Sequence, residues 1–217
     1  MARRFAREGY LALMPDLYSN DATRKTLTVE EIDAALPLSR LDDPSAELAK
    51  LAPERRAAIE RALAWRKTTM PKLSAYADDL GSAIPYLRSR ADVRADAIGL
   101  IGYCMGGALV GELLARGAAV AAASIYYGRL PDPARAAAIV TPLEGHFGGA
   151  DAPLTSLVPA FDAAMRAAGK PFEAFVYDGA PHAFFNDTRS SYTPAAARDA
   201  WARTLRFFAD RFAGAPT

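Results

Sequence analysis

The stretch Gly99-Leu-Ile-Gly102-Tyr-Cys104-Met-Gly106-Gly107 sets the chain's only cysteine in a Gly-x-Cys-x-Gly pattern, between an apolar run and a helix-forming run. A nucleophile on so tight a strand-to-helix turn sits in strained backbone, and its neighbours two residues away must be small. Gly102 and Gly106 meet that requirement. Such a turn aims its side chain at the carboxyl end of the sheet, where ligands of open α/β folds bind. A helix starting at Met105 would offer its N-terminal amides and dipole to a thiolate, and then to the oxyanion of a tetrahedral intermediate. The backbone N–H of Met105 is the candidate donor. The chemistry implied is acyl transfer. The plainer reading is a structural cysteine among packing glycines, which the spacing and the flanking elements disfavour. The stretch lacks the Gly-x-Gly-x-x-Gly of a dinucleotide site and the Gly-Lys-Ser/Thr of a P-loop.

A cysteine nucleophile needs an imidazole within reach, and the imidazole needs an acceptor on its other nitrogen. The chain has two histidines. His182, in Gly179-Ala-Pro-His-Ala-Phe-Phe, follows the last predicted strand and falls on the same rim as Cys104, so it is the candidate base. His146 lies within or at the end of a strand, and a structural role suits it better. Asp151 follows Gly148-Gly-Ala on a rim loop and is the candidate orienting acid, although a turn or helix-cap aspartate is common beside glycine and proline. Asp178 competes, but it lies four residues before His182 on the same strand end. Tyr103, Phe184, Arg61 and Trp65 are candidates for substrate contact. The last two could equally be a solvated charge and a packing aromatic. No histidine or cysteine cluster has metal-ligand spacing, and no organic cofactor is implied.

The elements that must position these groups alternate. Helices are predicted over Ala2–Arg7, within 20–69 (including Pro53–Lys67), and over Ser74–Arg88, where Pro85 should bend or break the helix. Further helices are expected at Met105–Arg116, Leu157–Ala168 and Pro194–Ala213. Apolar runs at Tyr10–Met14, Ile98–Gly102, Val120–Tyr127, Val140–Phe147 and Pro171–Tyr177 read as strands. That alternation indicates an α/β fold with a mostly parallel sheet covered on both faces. With no repeat or linker evident, residues 1–217 read as one domain, and 20–70 as a helical segment covering it.

Hydrophobic residues make up 51% of the 217, enough for a sizeable core. A net charge of +1 gives no electrostatic reason to expect nucleic acid or an anionic membrane as partner. No apolar run reaches the roughly 18 residues of a membrane span. One cysteine excludes an intrachain disulfide, so a reducing cytoplasm is the default compartment.

Four segments together resemble the dienelactone hydrolase family, the carboxymethylenebutenolidase-like α/β hydrolases. They are Gly-Tyr-Leu-Ala-Leu-Met-Pro-Asp-Leu-Tyr from Gly9, Ile-Gly-Tyr-Cys-Met-Gly-Gly from Ile101, Gly-His-Phe-Gly-Gly-Ala-Asp from Gly145 and Pro-His-Ala-Phe-Phe-Asn-Asp from Pro181. The order nucleophile, acid, histidine is that of α/β hydrolases. The resemblance implies that Cys104, Asp151 and His182 are the family triad, and that the reaction is hydrolysis of a small lactone or activated ester through an acyl-cysteine intermediate. It also implies additional N-terminal strands, one of them followed by a loop bearing a glutamate and the second oxyanion donor, whereas Met1 falls in the helix after that loop, so the expected fold lacks the usual N-terminal strands. Losing one such donor costs roughly 3–4 kcal/mol of transition-state stabilisation. The expectation is therefore an N-terminally truncated or mis-started chain. The alternative function is a weakly active or inactive α/β-hydrolase-fold protein with a binding role. The family's dienelactone-type members hold a substrate carboxylate with arginine and serine near the histidine. Here Ala183 follows His182 and Asn186 stands four residues on, with Arg189 nearby, a departure that argues against dienelactone itself.

Overall fold

Helices dominate the chain up to Arg88 in the computed structural model, which describes residues 1–18, 21–39, 41–69 and 73–214. Residues 1–76 and 77–217 form two units. The first holds α1 (Ala2–Arg7), α2 (Ala22–Lys25), α3 (Val29–Leu38), α4 (Ser45–Ala49) and α5 (Pro53–Thr69). A capping box starts α3. Glu31 N–H donates to Thr28 Oγ1 at 3.2 Å, and Thr28 N–H donates to Glu31 Oε2 at 2.8 Å. Leu27, Ala35, Leu48, Ile59, Leu63 and Trp65 build this unit's own small core. α1 matches its predicted span, and α5 runs two residues past its predicted end. Asn20 and Met70, the predicted ends of the covering segment, lie outside the described residues.

The strand expected at Tyr10–Met14 is not formed. These residues join no ladder among the described residues, and Leu11, Leu13 and Met14 are largely exposed. Apolar content alone does not make a strand. Its N–H and C=O groups need a neighbour to bond. Pro85 does not break its helix. α6 (Leu73–Arg88) continues through it. Proline removes one helical hydrogen bond, while Leu80 and Ile84 on this helix pack into the main core and hold it together.

Beyond α6 the predicted alternation becomes a parallel sheet of β1 (Gly99–Tyr103), β2 (Ala122–Tyr126), β3 (Leu143–Gly148) and β4 (Phe172–Tyr177), in the order β1-β2-β3-β4. α7 (Met105–Ala115) joins β1 to β2. α8 (Ala152–Thr155) and α9 (Val158–Ala167) lie between β3 and β4, and α10 (Pro194–Ala213) closes the chain. Alternate residues face opposite ways, as strand geometry requires. Leu100, Ile125, Leu143 and Phe147 point into a core with Val110 and Leu114 of α7 and Phe161 and Met165 of α9. Tyr126 faces the other way, toward Ala196, Ala197 and Ala200 of α10. Both faces are thus covered, and β2 and β3 are buried throughout. No helix among the described residues is long and apolar enough to cross a membrane.

Candidate active site

Cys104 caps the N-terminus of α7 with φ 53° and ψ −117°, a left-handed conformation that costs a non-glycine residue roughly 1–3 kcal/mol. The turn is held from both sides. Cys104 N–H donates to the Tyr126 carbonyl at 3.0 Å, and its own carbonyl accepts from Ala108 N–H at 3.2 Å. Gly102 is sterically obligatory, since a Cβ there would lie 2.2 Å from the Gly106 carbonyl oxygen. Gly106 is not, as a Cβ there would meet nothing within 4 Å. The expectation that both glycines are needed for space therefore holds on one side only, because the helix carries position 106 away from the strand. The cysteine is exposed, and Met105 opens the helix at the positive end of its dipole.

The rim loops after β3 and β4 bring the other two residues to it. Gly148 ends β3 so close to the second loop that a Cβ would sit 2.4 Å from the Ala180 oxygen. Ala150 N–H donates to that same oxygen at 3.0 Å, tying the loops together. Across this junction His182 Nδ1 lies 2.6 Å from Asp151 Oδ2, and His182 Nε2 lies 3.3 Å from Cys104 Sγ. Asp151 is the N-cap residue of α8, but its carboxylate makes no capping bond. Its backbone carbonyl takes the amides of Leu154 and Thr155 instead. Asp178 is exposed. Burial disfavours a charged His182, but its hydrogen bonds to Cys104 and Asp151 outweigh that and leave its pKa above the ordinary range.

Tyr103 stacks on Phe185 and packs against Tyr126 and Tyr127, just before the nucleophile. Phe184 is fully buried, edge-on to Tyr127 and tilted against Tyr177. Arg61 and Trp65 lie in the first unit. There Arg61 pairs with Glu31 at 3.3 Å, and the buried Trp65 donates its indole N–H to Asp21 at 2.8 Å. Sequence reasoning missed Tyr127. Its ring meets the His182 ring edge-on at 5.2 Å, and its φ is 38°. Burial, then the nearby Cys104, raise its phenol pKa against a smaller lowering by Arg189. Its position one residue past β2, on the rim beside the elbow, was the available signal. Among the described residues the non-glycine residues with positive φ are Cys104, Tyr127 and Ala183, all within or next to this site. No group of three or more His, Cys, Asp or Glu among them is placed to hold a metal.

Comparisons with known proteins agree with this architecture. The sequence profile of the dienelactone hydrolase family matches residues 1–212. A protein of Saccharolobus solfataricus named "Putative carboxymethylenebutenolidase" is 31% identical over 215 residues, 95% of this chain and 81% of its own length. A Bradyrhizobium protein named "Probable 2-oxo-3-(5-oxofuran-2-ylidene)propanoate lactonase" is 34% identical over 139 residues, 58% of this chain and 56% of its own. A crystal structure described as a "Putative Dienelactone Hydrolase" of Klebsiella pneumoniae superposes with a TM-score of 0.67 at 26% identity, covering 95% of this chain and 78% of that one. The fold is that of an α/β hydrolase, and the chain belongs to the dienelactone hydrolase family.

Proposed function

We propose that this protein hydrolyses a small lactone or activated ester through an acyl-cysteine intermediate, with Cys104 as nucleophile, His182 as base and Asp151 as its orienting partner. The observation that carries the reading is the unbroken line from Asp151 through the imidazole to the thiol, 2.6 Å and 3.3 Å long. His182 takes the thiol proton, and the thiolate attacks the substrate carbonyl. The oxyanion forms beside the first turn of α7, where the Met105 N–H and the helix dipole oppose its charge. The C–O bond to the leaving alkoxide or enolate breaks as His182 returns the proton. A water, deprotonated by His182, then attacks the thioester, and collapse frees the acid and the thiolate. Thioesters form readily from good leaving groups, which suits enol-lactones and aryl esters and not amides. The lactonase name of one relative and the carboxymethylenebutenolidase name of another support that substrate class.

A panel of lactones and p-nitrophenyl esters, read with wild type, Cys104→Ala and His182→Ala, tests this. Each substitution should lower turnover by on the order of 10³-fold or more. Intact-mass spectrometry after rapid quench should find the acyl group on Cys104. Wild-type turnover surviving in Cys104→Ala would overturn the assignment.

A further inference from the structure

On the α10 side of the sheet lies a cluster of polar side chains that the proposed reaction does not use. Glu144 and His146 of β3, Ser124 and Tyr126 of β2, and Thr204 of α10 are each at most 2% exposed. Charged and polar groups go this deep only when their hydrogen bonds are met inside. Thr204 is the hub. Its Oγ1 lies 3.2 Å from Ser124 Oγ, 2.9 Å from the Tyr126 hydroxyl and 3.1 Å from His146 Nε2, and it donates to Glu144 Oε1. Glu144 Oε1 also accepts from Ser124 at 2.8 Å and faces His146 Nε2 at 3.1 Å, while the Tyr126 hydroxyl donates to the Ala200 carbonyl at 2.9 Å.

From His146 the network leads outward. Nδ1 is 3.1 Å from the Tyr177 hydroxyl, which donates to Asp199 Oδ2 at 3.1 Å, and Asp199 is held in turn by Arg203. A tyrosine hydroxyl has one hydrogen. With that hydrogen on Asp199, His146 Nδ1 must be the donor to the Tyr177 oxygen.

Two members of this network, Tyr126 and Tyr177, also hold the candidate triad. The Tyr126 carbonyl takes the Cys104 N–H at 3.0 Å. The Tyr126 ring packs 4.9 Å from Phe185, and the Tyr177 ring lies 5.0 Å from Phe184, both just after His182. The Tyr177 carbonyl takes the Gly149 N–H at 2.7 Å, two residues before Asp151. Tyr127, whose ring meets His182, donates its N–H to the His146 carbonyl at 2.8 Å.

We propose that the Tyr126 and Tyr177 hydroxyls, anchored on α10 by the Ala200 carbonyl and Asp199 and packed against the Thr204–Glu144–His146 cluster, are positioning groups that set the reach between Asp151, His182 and Cys104. A ring without its hydroxyl keeps its bulk but loses its fixed depth against α10. A misplacement of about 1 Å at the reacting atoms costs on the order of 100-fold. The effect on turnover rests on the hydrolase reading above. The effect on the thiol does not, because alkylation reads the reactivity of Cys104 directly and needs no substrate turnover.

The test uses Thr204→Val, Thr204→Ser, Tyr126→Phe and Tyr177→Phe in the full chain. The readouts are the rate of Cys104 alkylation by iodoacetamide near neutral pH, kcat and KM on the ester panel, ¹⁵N spectra of the two histidines, and Tm. Thr204→Val and both Tyr→Phe variants should slow alkylation and lower kcat by about 10-fold with KM within about twofold of wild type, a fraction of the 100-fold ceiling. Thr204→Ser, which keeps the hydroxyl, should restore both. Tyr177→Phe should shift the His182 resonances as well as those of His146. Variants that lower Tm while alkylation and kcat stay at wild-type values would overturn the proposal and leave the cluster a structural one. If Thr204→Val does not fold, the two Tyr→Phe variants, each lacking one oxygen, decide. A wild type that alkylates readily but hydrolyses nothing on the panel would sink the hydrolase reading, and the alkylation rates would still judge this one.

Discussion

His182 is under two opposed influences, and the balance gives a pH signature. Burial pulls its pKa down, while the hydrogen bonds to Cys104 and Asp151 push it further up, past its ordinary value of 6.5. A folded-state value raised above the unfolded one gives stabilisation that is complete below the unfolded value and is lost as pH rises through the folded value. Asp151→Asn removes one of the raising partners. The Tm gap between wild type and this variant should therefore be wider at about pH 6 than at about pH 9. The acidic limb of the pH–rate profile, set by His182 as the base, should also move to lower pH, and kcat should fall by up to about 10⁴-fold. A Tm gap that widens toward alkaline pH would show that Asp151 does not hold the charged imidazole.

Strand ends and glycines deliver these side chains, and the elements differ in how much they tolerate. Gly102→Ala drives a methyl into the Gly106 carbonyl and should cost about 3 kcal/mol, at the upper end of overpacking, along with most Cys104 reactivity. Gly106→Ala has open space inside α7 and should leave Tm unchanged or raise it, by up to about 1 kcal/mol of stability. Thermal melts of the two variants side by side check both, and equal losses would contradict the geometry of the elbow. Helix and strand positions were mostly legible in the sequence, because period-2 and period-3.6 apolar patterns follow from the local geometry of each element. Tyr10–Met14 departs from its expected strand for the same reason. Its pattern is that of a strand, but ladder partners are a non-local property. Pro85 leaves α6 unbroken because packing by Leu80 and Ile84 outweighs a local breaker.

At the scale of the whole chain, hydrogen bonding is uneven. β2 and β3 are buried throughout and laddered on both sides, whereas Leu11–Met14 has no ladder among the described residues. Native-state hydrogen exchange should find the amides of Ala123–Ile125 and Leu143–His146 among the slowest. Those of Leu11, Ala12, Leu13 and Met14 should exchange orders of magnitude faster. Protection of the latter at the level of β2 would mean that the segment finds a strand partner in solution.

The sequence alone determined the type and order of the main elements from Ser74 onward, the parallel α/β class, and the candidates Cys104, His182 and a rim aspartate. These depend on spacing along the chain: a small-x-Cys-x-small turn, and strand ends that must share one edge of a parallel sheet. Tertiary structure alone decided that Asp151 and not Asp178 meets the imidazole, because the Gly148–Ala180 junction sets which carboxylate crosses. It also decided that Tyr127 flanks His182, and that Glu144, His146 and Thr204 meet beneath β2. The last two residues are 58 apart in the chain. No periodicity encodes such a meeting, which exists only once α10 lies across the sheet.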